Sequence, residues 1–347
     1  VVECLDQDTG ERIEEKYVIA IRAAMDTIIV LFIICSNALI VLAIARHRRH
    51  GKKLEHSALS SASVRFALNL AVSDLLVGVS TTYYLSSKYL CSLVIALSHL
   101  KYLCLFMFVM IVCAHAASAY TIVAIAIDRY IAVVHALRYR ELMSTRTSRV
   151  MVAVVWIFSI CISTPIMYWN KWSSSKTCDE GLVVPLQYLP IVSILSHIII
   201  MGIVGGFHRR IHHEALASDE RKRSRASRAT ALTFQESKMG HKFRSKSAKV
   251  LLLVTGCYII CWTPITVIFF IRGYAVANPL IDVLYNYFFT FLNINYVFNP
   301  IVYSWMNPTI RTAIVELFYV FTCKKKALRD IANQSAFPSV STVYSVT

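Results

Sequence analysis

Long apolar blocks separated by short polar segments dominate this chain. Seven blocks can be marked, at about 23–45, 64–86, 101–134, 150–168, 184–207, 250–271 and 283–305. Each is close to or above the ~20 residues that a helix needs to cross the hydrocarbon core of a bilayer. The pattern predicts an all-α membrane protein, a bundle of seven transmembrane helices.

The segments around these blocks predict the domain organisation. Residues 307–320 have apolar positions at helical spacing but are too short and too polar to span, so we expect an amphipathic helix on the membrane surface. The Ser/Thr-rich tail is expected to be disordered. The predicted divisions are an extracellular segment 1–22, a bundle 23–306 with an inner loop at about 208–249, the surface helix 307–320 and the tail 321–347.

Charge indicates the orientation. The composition is 56% hydrophobic and 16% charged, with a formal net charge of +16. The basic residues lie between apolar blocks rather than along one face, which argues against a nucleic-acid partner and favours loops beside anionic lipid. Residues 208–249 hold twelve Lys or Arg against four acids. The positive-inside bias predicts an extracellular N-terminus and a cytoplasmic C-terminus.

One carboxylate, Asp74, falls in the middle of the second block. An ionisable residue inside a membrane is costly and is by default a functional hypothesis. Its candidate partners are Ser118, Asn295 and Asn299. One carboxylate among neutral oxygens predicts a site for Na⁺ or a proton. The alternative is a neutral carboxyl group that is hydrogen-bonded between helices.

Proline interrupts the sixth and seventh blocks, at Pro264 and Pro300. Each proline removes one backbone donor, which kinks the helix and frees the carbonyl four residues earlier for another partner. Trp262 lies just before the first kink and Tyr303 follows the second. A kink beside a bulky aromatic residue favours a moving part, and a static bend is the alternative.

Cysteines suggest covalent links at both membrane surfaces. Cys104 and Cys178 fall on the predicted outer side, where a disulfide is chemically allowed, and a second bridge, between Cys4 and Cys91, is also compatible with the sequence. Cys323 follows the amphipathic segment beside a run of lysines. It is a candidate for palmitoylation, and an unmodified thiol is equally compatible with the sequence.

Several short motifs occur in a fixed order along the blocks. They are Asn37, Leu70–Asp74, Cys104, Asp128-Arg129-Tyr130, Trp156, Cys178, Cys261–Pro264 and Asn299–Tyr303. Together they resemble the rhodopsin-like family of G-protein-coupled receptors over roughly residues 23–320. The resemblance implies a plasma-membrane receptor, not an enzyme, that signals to a heterotrimeric G protein and has arrestins and receptor kinases as further partners.

The resemblance also implies residue roles. Asp128 would hold Arg129 at rest, and Arg129 would turn toward the G protein on activation. Leu137 would enter a hydrophobic pocket on the G protein. The family's sodium site would comprise Asp74, Ser118, Asn295 and Asn299, and no other cofactor is expected. The implied switch residues are Asp128, Arg129, Tyr130, Leu137, Trp262, Pro264, Asn299, Pro300 and Tyr303.

Some positions depart from the family pattern. Tyr258 stands where the family usually has phenylalanine, and Ala119 stands where its packing partner is usually isoleucine. Arg244 occupies the region where some members place an acid that pairs with the helix-three arginine. Without that ionic lock, we expect a raised basal activity.

The ligand is expected to be apolar, lipid-like or a peptide. Ile111 occupies the position of the aspartate that holds the ligand in aminergic receptors, so an amine ligand is not expected. Lys88, Lys101 and Arg272 near the rim suit an anionic group. Helix packing is the alternative role for the aromatic pocket residues. The predicted pocket comprises Tyr83, Tyr84, Met107, Ile111, His115, Ile265, Phe269, Tyr285, Phe289 and Asn293.

Two other functions remain compatible with the sequence. A transporter or channel would also need a helical bundle, although the two halves of the chain share no visible repeated motif. A receptor that acts through arrestin, or that scavenges its ligand with weak G-protein coupling, is the second alternative.

Overall fold

The computed structural model describes residues 13–49, 58–90, 100–172, 178–226, 231–274 and 278–321. Within these ranges the chain is helical, with no strand, which confirms the predicted fold class. The long helices are α1 (Ile13–Arg49), α2 (Ala58–Tyr89), α3 (Lys101–Val134), α4 (Thr145–Ser163), α5 (Tyr188–Ala226), α6 (Ala231–Tyr274), α7 (Pro279–Met306) and α8 (Pro308–Phe321). Short helical turns occur at Ala136–Arg138, Tyr139–Leu142, Pro165–Tyr168 and Glu180–Val183.

Some sequence predictions fall outside the described residues. These are the bridge between Cys4 and Cys91, the lipid on Cys323 and the tail beyond residue 321. The backbones at Lys88 and Arg244 are helical, but their side chains are likewise not described.

Six of the described helices, α1 to α6, are long and apolar enough to cross a membrane. The α7 helix is less apolar because it carries four asparagines and four tyrosines. Asn293, Asn295 and Asn299 are nevertheless buried. The polarity of α7 is therefore directed into the bundle rather than toward lipid.

Several helices run further than the apolar blocks that predicted them. The α1 helix begins at Ile13, well before the first block. The α5 and α6 helices extend to Ala226 and from Ala231, so most of the predicted inner loop at 208–249 is helical. Hydropathy marks only the part of a helix that suits lipid, whereas Ala, Lys, Arg and Glu continue the helix beyond it.

The α3 helix lies at the centre of the bundle and packs against α2, α4, α5 and α6. Side chains are buried along most of its length, from Cys104 to Val133. Cys104 is bonded to Cys178, as expected, with a Cα–Cα distance of 5.8 Å. We call the end of the bundle that holds this bond the disulfide end. The opposite end, where Arg129 lies, is called the Arg129 end.

The α8 helix lies against α1 at the Arg129 end. Ala313 and Leu317 form a buried cluster with Ala43 of α1. Beside this cluster, His47 Nδ1 lies 3.1 Å from Glu316 Oε2. One apolar face of α8 is thus covered by the bundle, whereas Phe318 is exposed. The α8 helix is thus covered on one face and exposed on another, and its predicted position on a membrane surface stays a prediction.

The close approach of α1 and α2 depends on Gly78 of α2. A larger side chain at this position should therefore lower the stability of the folded protein. A Cβ atom at Gly78 would lie 2.7 Å from Ile34 Cγ1 and 3.2 Å from Ile33 Cγ2, whereas one at Gly202 would meet nothing within 4 Å. We expect Gly78→Val to lower the thermal unfolding temperature of the solubilised protein, because overpacking costs about 1–3 kcal/mol. Gly202→Val is the matched control. Equal unfolding temperatures for the two variants would contradict this account.

Candidate functional site

The Asp74 carboxylate joins three helices in the middle of the bundle. Ser118 Oγ of α3 donates to Asp74 Oδ1 at 2.5 Å, and Asn299 Nδ2 of α7 donates to Oδ2 at 2.8 Å. All three side chains are buried. Asn295 is buried as well, and among the described residues neither of its side-chain polar atoms has a hydrogen-bond partner. Two of the predicted sodium ligands thus contact the third, Asp74, and the fourth, Asn295, has a side-chain oxygen that is unpaired among the described residues.

The kink at Pro300 is stabilised from a neighbouring helix. Pro300 lacks the N–H that would otherwise bond the carbonyl of Tyr296. Asn37 Nδ2 of α1 donates to this carbonyl at 3.1 Å, and to the Ile33 carbonyl at 2.9 Å. The freed acceptor predicted from the sequence therefore has a specific partner, which explains why a buried asparagine occurs in α1.

At the Arg129 end, the Asp128 carboxylate is surrounded by donors. Arg129 Nε donates to Asp128 Oδ2 at 3.0 Å, and Arg129 Nη2 contacts both Asp128 Oδ2 and Ser63 Oγ. Ser63 Oγ of α2 donates to the same oxygen at 3.1 Å. Tyr139 donates to Asp128 Oδ1 at 2.7 Å. Asp128 therefore holds Arg129 beside Ser63 of α2, and the resting role implied for this pair stays a prediction.

The segment after α3 presents one side chain outward and turns another inward. Leu137 is fully exposed. Tyr139, two residues later, is 1% exposed, and burial together with the Asp128 carboxylate raises the pKa of its hydroxyl, which keeps it a donor. On the outer face of the same turn, two hydrogen bonds from Arg138 lower the pKa of Glu141.

The remaining predicted switch residues lie near the Arg129 end or along α6. Tyr130 stacks on Phe207 of α5, with a ring-centroid distance of 4.7 Å. Tyr303 is buried, and its hydroxyl has no hydrogen-bond partner within the described residues. Pro264 lies inside α6, two residues after Trp262. These side chains are thus spread along the bundle rather than gathered at one site.

A cavity occupies the half of the bundle nearer the disulfide end. The space, including its open mouth, is about 880 Å³ and is lined mainly by apolar and aromatic side chains of α3, α5, α6 and α7. This lining of apolar and aromatic side chains is typical of a ligand pocket. The predicted pocket residues that line it are Tyr84, Ile111, His115, Phe269 and Phe289.

Other predicted pocket residues do not line the cavity, because they pack between helices. Met107 is fully buried and its sulfur accepts from Ser87 Oγ at 3.3 Å. Tyr83 packs against the cluster around Cys104, and Ile265 packs against residues of α2 and α3. Asn293 Nδ2 donates to the Phe289 carbonyl at 3.0 Å.

A group of aromatic rings in mutual contact lies at the deep part of the cavity. His115 Nδ1 lies 2.8 Å from the Ile111 carbonyl, and the His115 ring meets Trp262 edge-on at 5.8 Å and Tyr296 at 5.4 Å. Trp262 in turn lies 5.7 Å from Tyr258. Trp262 therefore joins the cavity to the kinked part of α6.

Tyr258 makes a contact that the sequence did not predict. Its ring stacks on His197 of α5 at 5.6 Å, and it lines the cavity beside Ala119. The small side chain at Ala119 leaves the space that an isoleucine would fill. The departures noted at these two positions thus occur together, in one place between α3, α5 and α6.

Sequence reasoning missed Glu180, which lines the cavity at the disulfide end. Tyr285 donates to Glu180 Oε2, and Arg272 Nη1 lies 3.6 Å from Oε1. Arg272 also lies 3.1 Å from Asp282, so it is already paired with acids instead of facing an anionic ligand. Lys101 lies over the Trp172 ring at 5.9 Å. The sequence feature that could have indicated Glu180 is its place two residues after Cys178, whose disulfide holds this segment beside α3.

These features agree with a comparison against protein families. Residues 36–303 match the family described as 7 transmembrane receptor (rhodopsin family). The chain belongs to this family of receptors. Membership favours a multi-pass plasma-membrane receptor over a transporter or an enzyme, and it implies G-protein coupling and an extracellular ligand.

Individual relatives are more distant. The chain is 27% identical to melanocortin receptor 5 of Mus musculus over 81% of this chain and 79% of the relative. It is 26% identical to the Rattus norvegicus protein of the same name over the same shares. It is also 26% identical to the histamine H2 receptor of Canis lupus familiaris, over 84% of this chain and 77% of the relative. The histamine H2 receptor is named for an amine, so these relatives do not support the expectation that the ligand is not an amine.

The hydrogen bond from Tyr139 to Asp128 predicts a stability effect. We expect Tyr139→Phe to lower the thermal unfolding temperature, since it removes one donor from a carboxylate that is 1% exposed, at a cost of about 1–3 kcal/mol. Tyr168→Phe removes a hydroxyl from an exposed side chain and should change little. If the two variants unfold at the same temperature, this hydrogen bond does not stabilise the Arg129 end.

Proposed function

We propose that this chain converts the binding of a ligand at the disulfide end into activation of a heterotrimeric G protein at the Arg129 end. The disulfide end would face the outside and the Arg129 end the cytoplasm, in line with the positive-inside bias. The carrying observation is that Arg129 is held by Asp128 and Ser63 while a cavity is present at the opposite end of α3.

The route between the two ends follows α6 and α7. A ligand in the cavity contacts His115 of α3 and Trp262 of α6, and Trp262 lies two residues before the kink at Pro264. A change at this kink moves the inner part of α6 relative to α3. Release of Arg129 and reorientation of Tyr303 then open a surface for the G protein. Exposed Leu137 extends the same surface.

The ligand that the cavity favours is apolar, lipid-like or a peptide, rather than a small amine held by α3. Ile111 lines the cavity at the position where an amine-binding aspartate would stand. Most other lining groups are aromatic or aliphatic, which suits an extensive apolar contact. Arrestins and receptor kinases are the further partners that we propose for the cytoplasmic face.

A sodium ion is proposed as an allosteric ligand at Asp74. The Asp74 carboxylate, the Ser118 hydroxyl and the side-chain oxygens of Asn295 and Asn299 provide the hard oxygen ligands that such a cation prefers. The bound charge would offset the cost of the buried carboxylate and hold α2, α3 and α7 together.

The Arg129 hypothesis predicts the following result. In cells without added ligand, a G-protein dissociation sensor should give a signal above that of mock-transfected cells, because Arg244 cannot provide an acidic partner for Arg129. Arg129→Ala should reduce this signal to the mock level at equal surface expression. Arg146→Ala, which changes an exposed arginine at the same end, is the control. If the wild-type signal equals that of mock-transfected cells, the basal activity is not raised. If the Arg129→Ala variant still drives full nucleotide exchange on added G protein, Arg129 does not have the proposed role.

The sodium proposal predicts a salt-specific stabilisation. NaCl should raise the thermal unfolding temperature of the purified receptor above its value in choline chloride at equal ionic strength, because ligand that binds only the folded state stabilises it. Asp74→Asn should abolish this difference. Asp26→Asn, at a buried carboxylate that accepts from Thr290 at 2.5 Å, should retain it. A sodium effect that survives in Asp74→Asn would exclude the site.

A further inference from the structure

The cavity has an uneven distribution of charge. Among the described residues that line it, Glu180 is the only carboxylate, and no lysine or arginine is present. Most of the remaining lining is aliphatic or aromatic. A ligand with an anionic group would therefore meet an acid and no cation in this lining.

Glu180 is held in place by its neighbours in the chain. The disulfide from Cys178 to Cys104 fixes the backbone two residues earlier. Asp179 Oδ1 accepts from the Gly181 N–H at 2.9 Å and so begins the turn Glu180–Val183. Val183 is 1% exposed and packs in the same cluster as Cys104. A fixed turn thus places Glu180 in the lining of the cavity, with its carboxylate on Tyr285 and Arg272.

Aromatic rings surround the same corner. Tyr84 and Phe289 line the cavity with ring centroids 5.4 Å apart, and Phe269 lines it from α6. Tyr285 lies behind them, 6.0 Å from both Phe289 and Phe269, and donates to Glu180. The faces of such rings attract a cation, most strongly when it is partly desolvated.

Arg272 shows that this corner accepts a positive charge. Its Cζ atom lies 4.2 Å from the centroid of the Tyr285 ring. Its Nε atom is 3.1 Å from Asp282, closer than the 3.6 Å that separates Nη1 from Glu180. Arg272 can therefore remain paired with Asp282 while Glu180 turns toward a different cation.

We propose that Glu180, Tyr84, Phe269 and Phe289 form a subsite for a cationic group, an ammonium or guanidinium, carried by an otherwise apolar ligand. This inference rests on the proposed function only in taking the cavity as the ligand site. It narrows the ligand class to apolar molecules that carry a cationic group, such as a peptide with a basic group beside an apolar residue. A lipid with an anionic head group does not fit this subsite. The ligand's cation would be recognised from the loop after α4 instead of from α3.

The test uses two probes of the same shape, 2-naphthylmethylammonium and the neutral 2-naphthylmethanol. Their affinities for the purified full-length receptor are measured by thermal shift, without a G protein. We expect the cationic probe to bind at least about tenfold more tightly, because a hydrogen bond to a charged group contributes more than a neutral one. Glu180→Gln should reduce this preference to about twofold or less.

Two further variants separate recognition from loss of structure. Arg272→Gln removes the cation that the structure shows beside Glu180 and should increase the affinity for the cationic probe several-fold, opposite to Glu180→Gln. Glu141→Gln, at an exposed acid of the Arg129 end, should leave both affinities unchanged. The unfolding temperature of each variant without probe verifies its fold.

The proposal is overturned if the two probes bind equally, if the cationic probe does not bind, or if Glu180→Gln keeps the preference. A lower affinity of Arg272→Gln for the cationic probe also overturns it. Failure of G-protein activation is measured separately and contradicts the proposed function alone, because the probe measurement needs no signalling.

Discussion

Polar side chains inside this bundle must find their partners within the protein, because hydrocarbon offers none. The requirement is strictest for Asp74, since burying a carboxylate costs several kcal/mol of folding free energy unless it is paired or hydrogen-bonded. Its contacts with Ser118 and Asn299 determine which faces of α2, α3 and α7 lie together. The same requirement explains Asn37, which provides the donor that Pro300 removes from α7. These polar contacts define the register of helices whose apolar surfaces alone would allow many alternatives.

The α3 helix gives the bundle its long axis and makes the two ends depend on one rigid element. It begins at the disulfide and ends just beyond Arg129. Along it lie the cavity residues, then Ser118, then the acid that holds Arg129. Because a helix transmits rotation and translation over its length with little deformation, changes at either end are mechanically connected through α3 and its packed neighbours. The weaker points are the proline kinks in α6 and α7, where backbone hydrogen bonds are missing.

Much of this fold could be predicted from the sequence, because membrane helices have a strong local signal. Apolar blocks located the helices, and the order of short motifs located Asp74, Arg129 and the disulfide. The signal was weaker wherever an outcome depends on contacts between distant segments. The inward turn of Tyr139, for example, depends on the position of Asp128, and the interhelical packing of Met107 and Ile265 cannot be distinguished from pocket lining by periodicity alone. Glu180 was missed because a loop acid carries no hydropathy signal. Arg272 was assigned to an anionic ligand because its partners, Glu180 and Asp282, come from separate segments.

The link between Cys104 and Cys178 has a thermodynamic consequence beyond holding a loop. Ordering a free loop over a ligand costs about 1–2 kcal/mol for each backbone residue that is fixed. The turn Glu180–Val183 has already lost that freedom during folding, through the disulfide and the buried Val183. A ligand that enters the cavity therefore meets a preorganised wall, and more of its contact energy is retained as affinity.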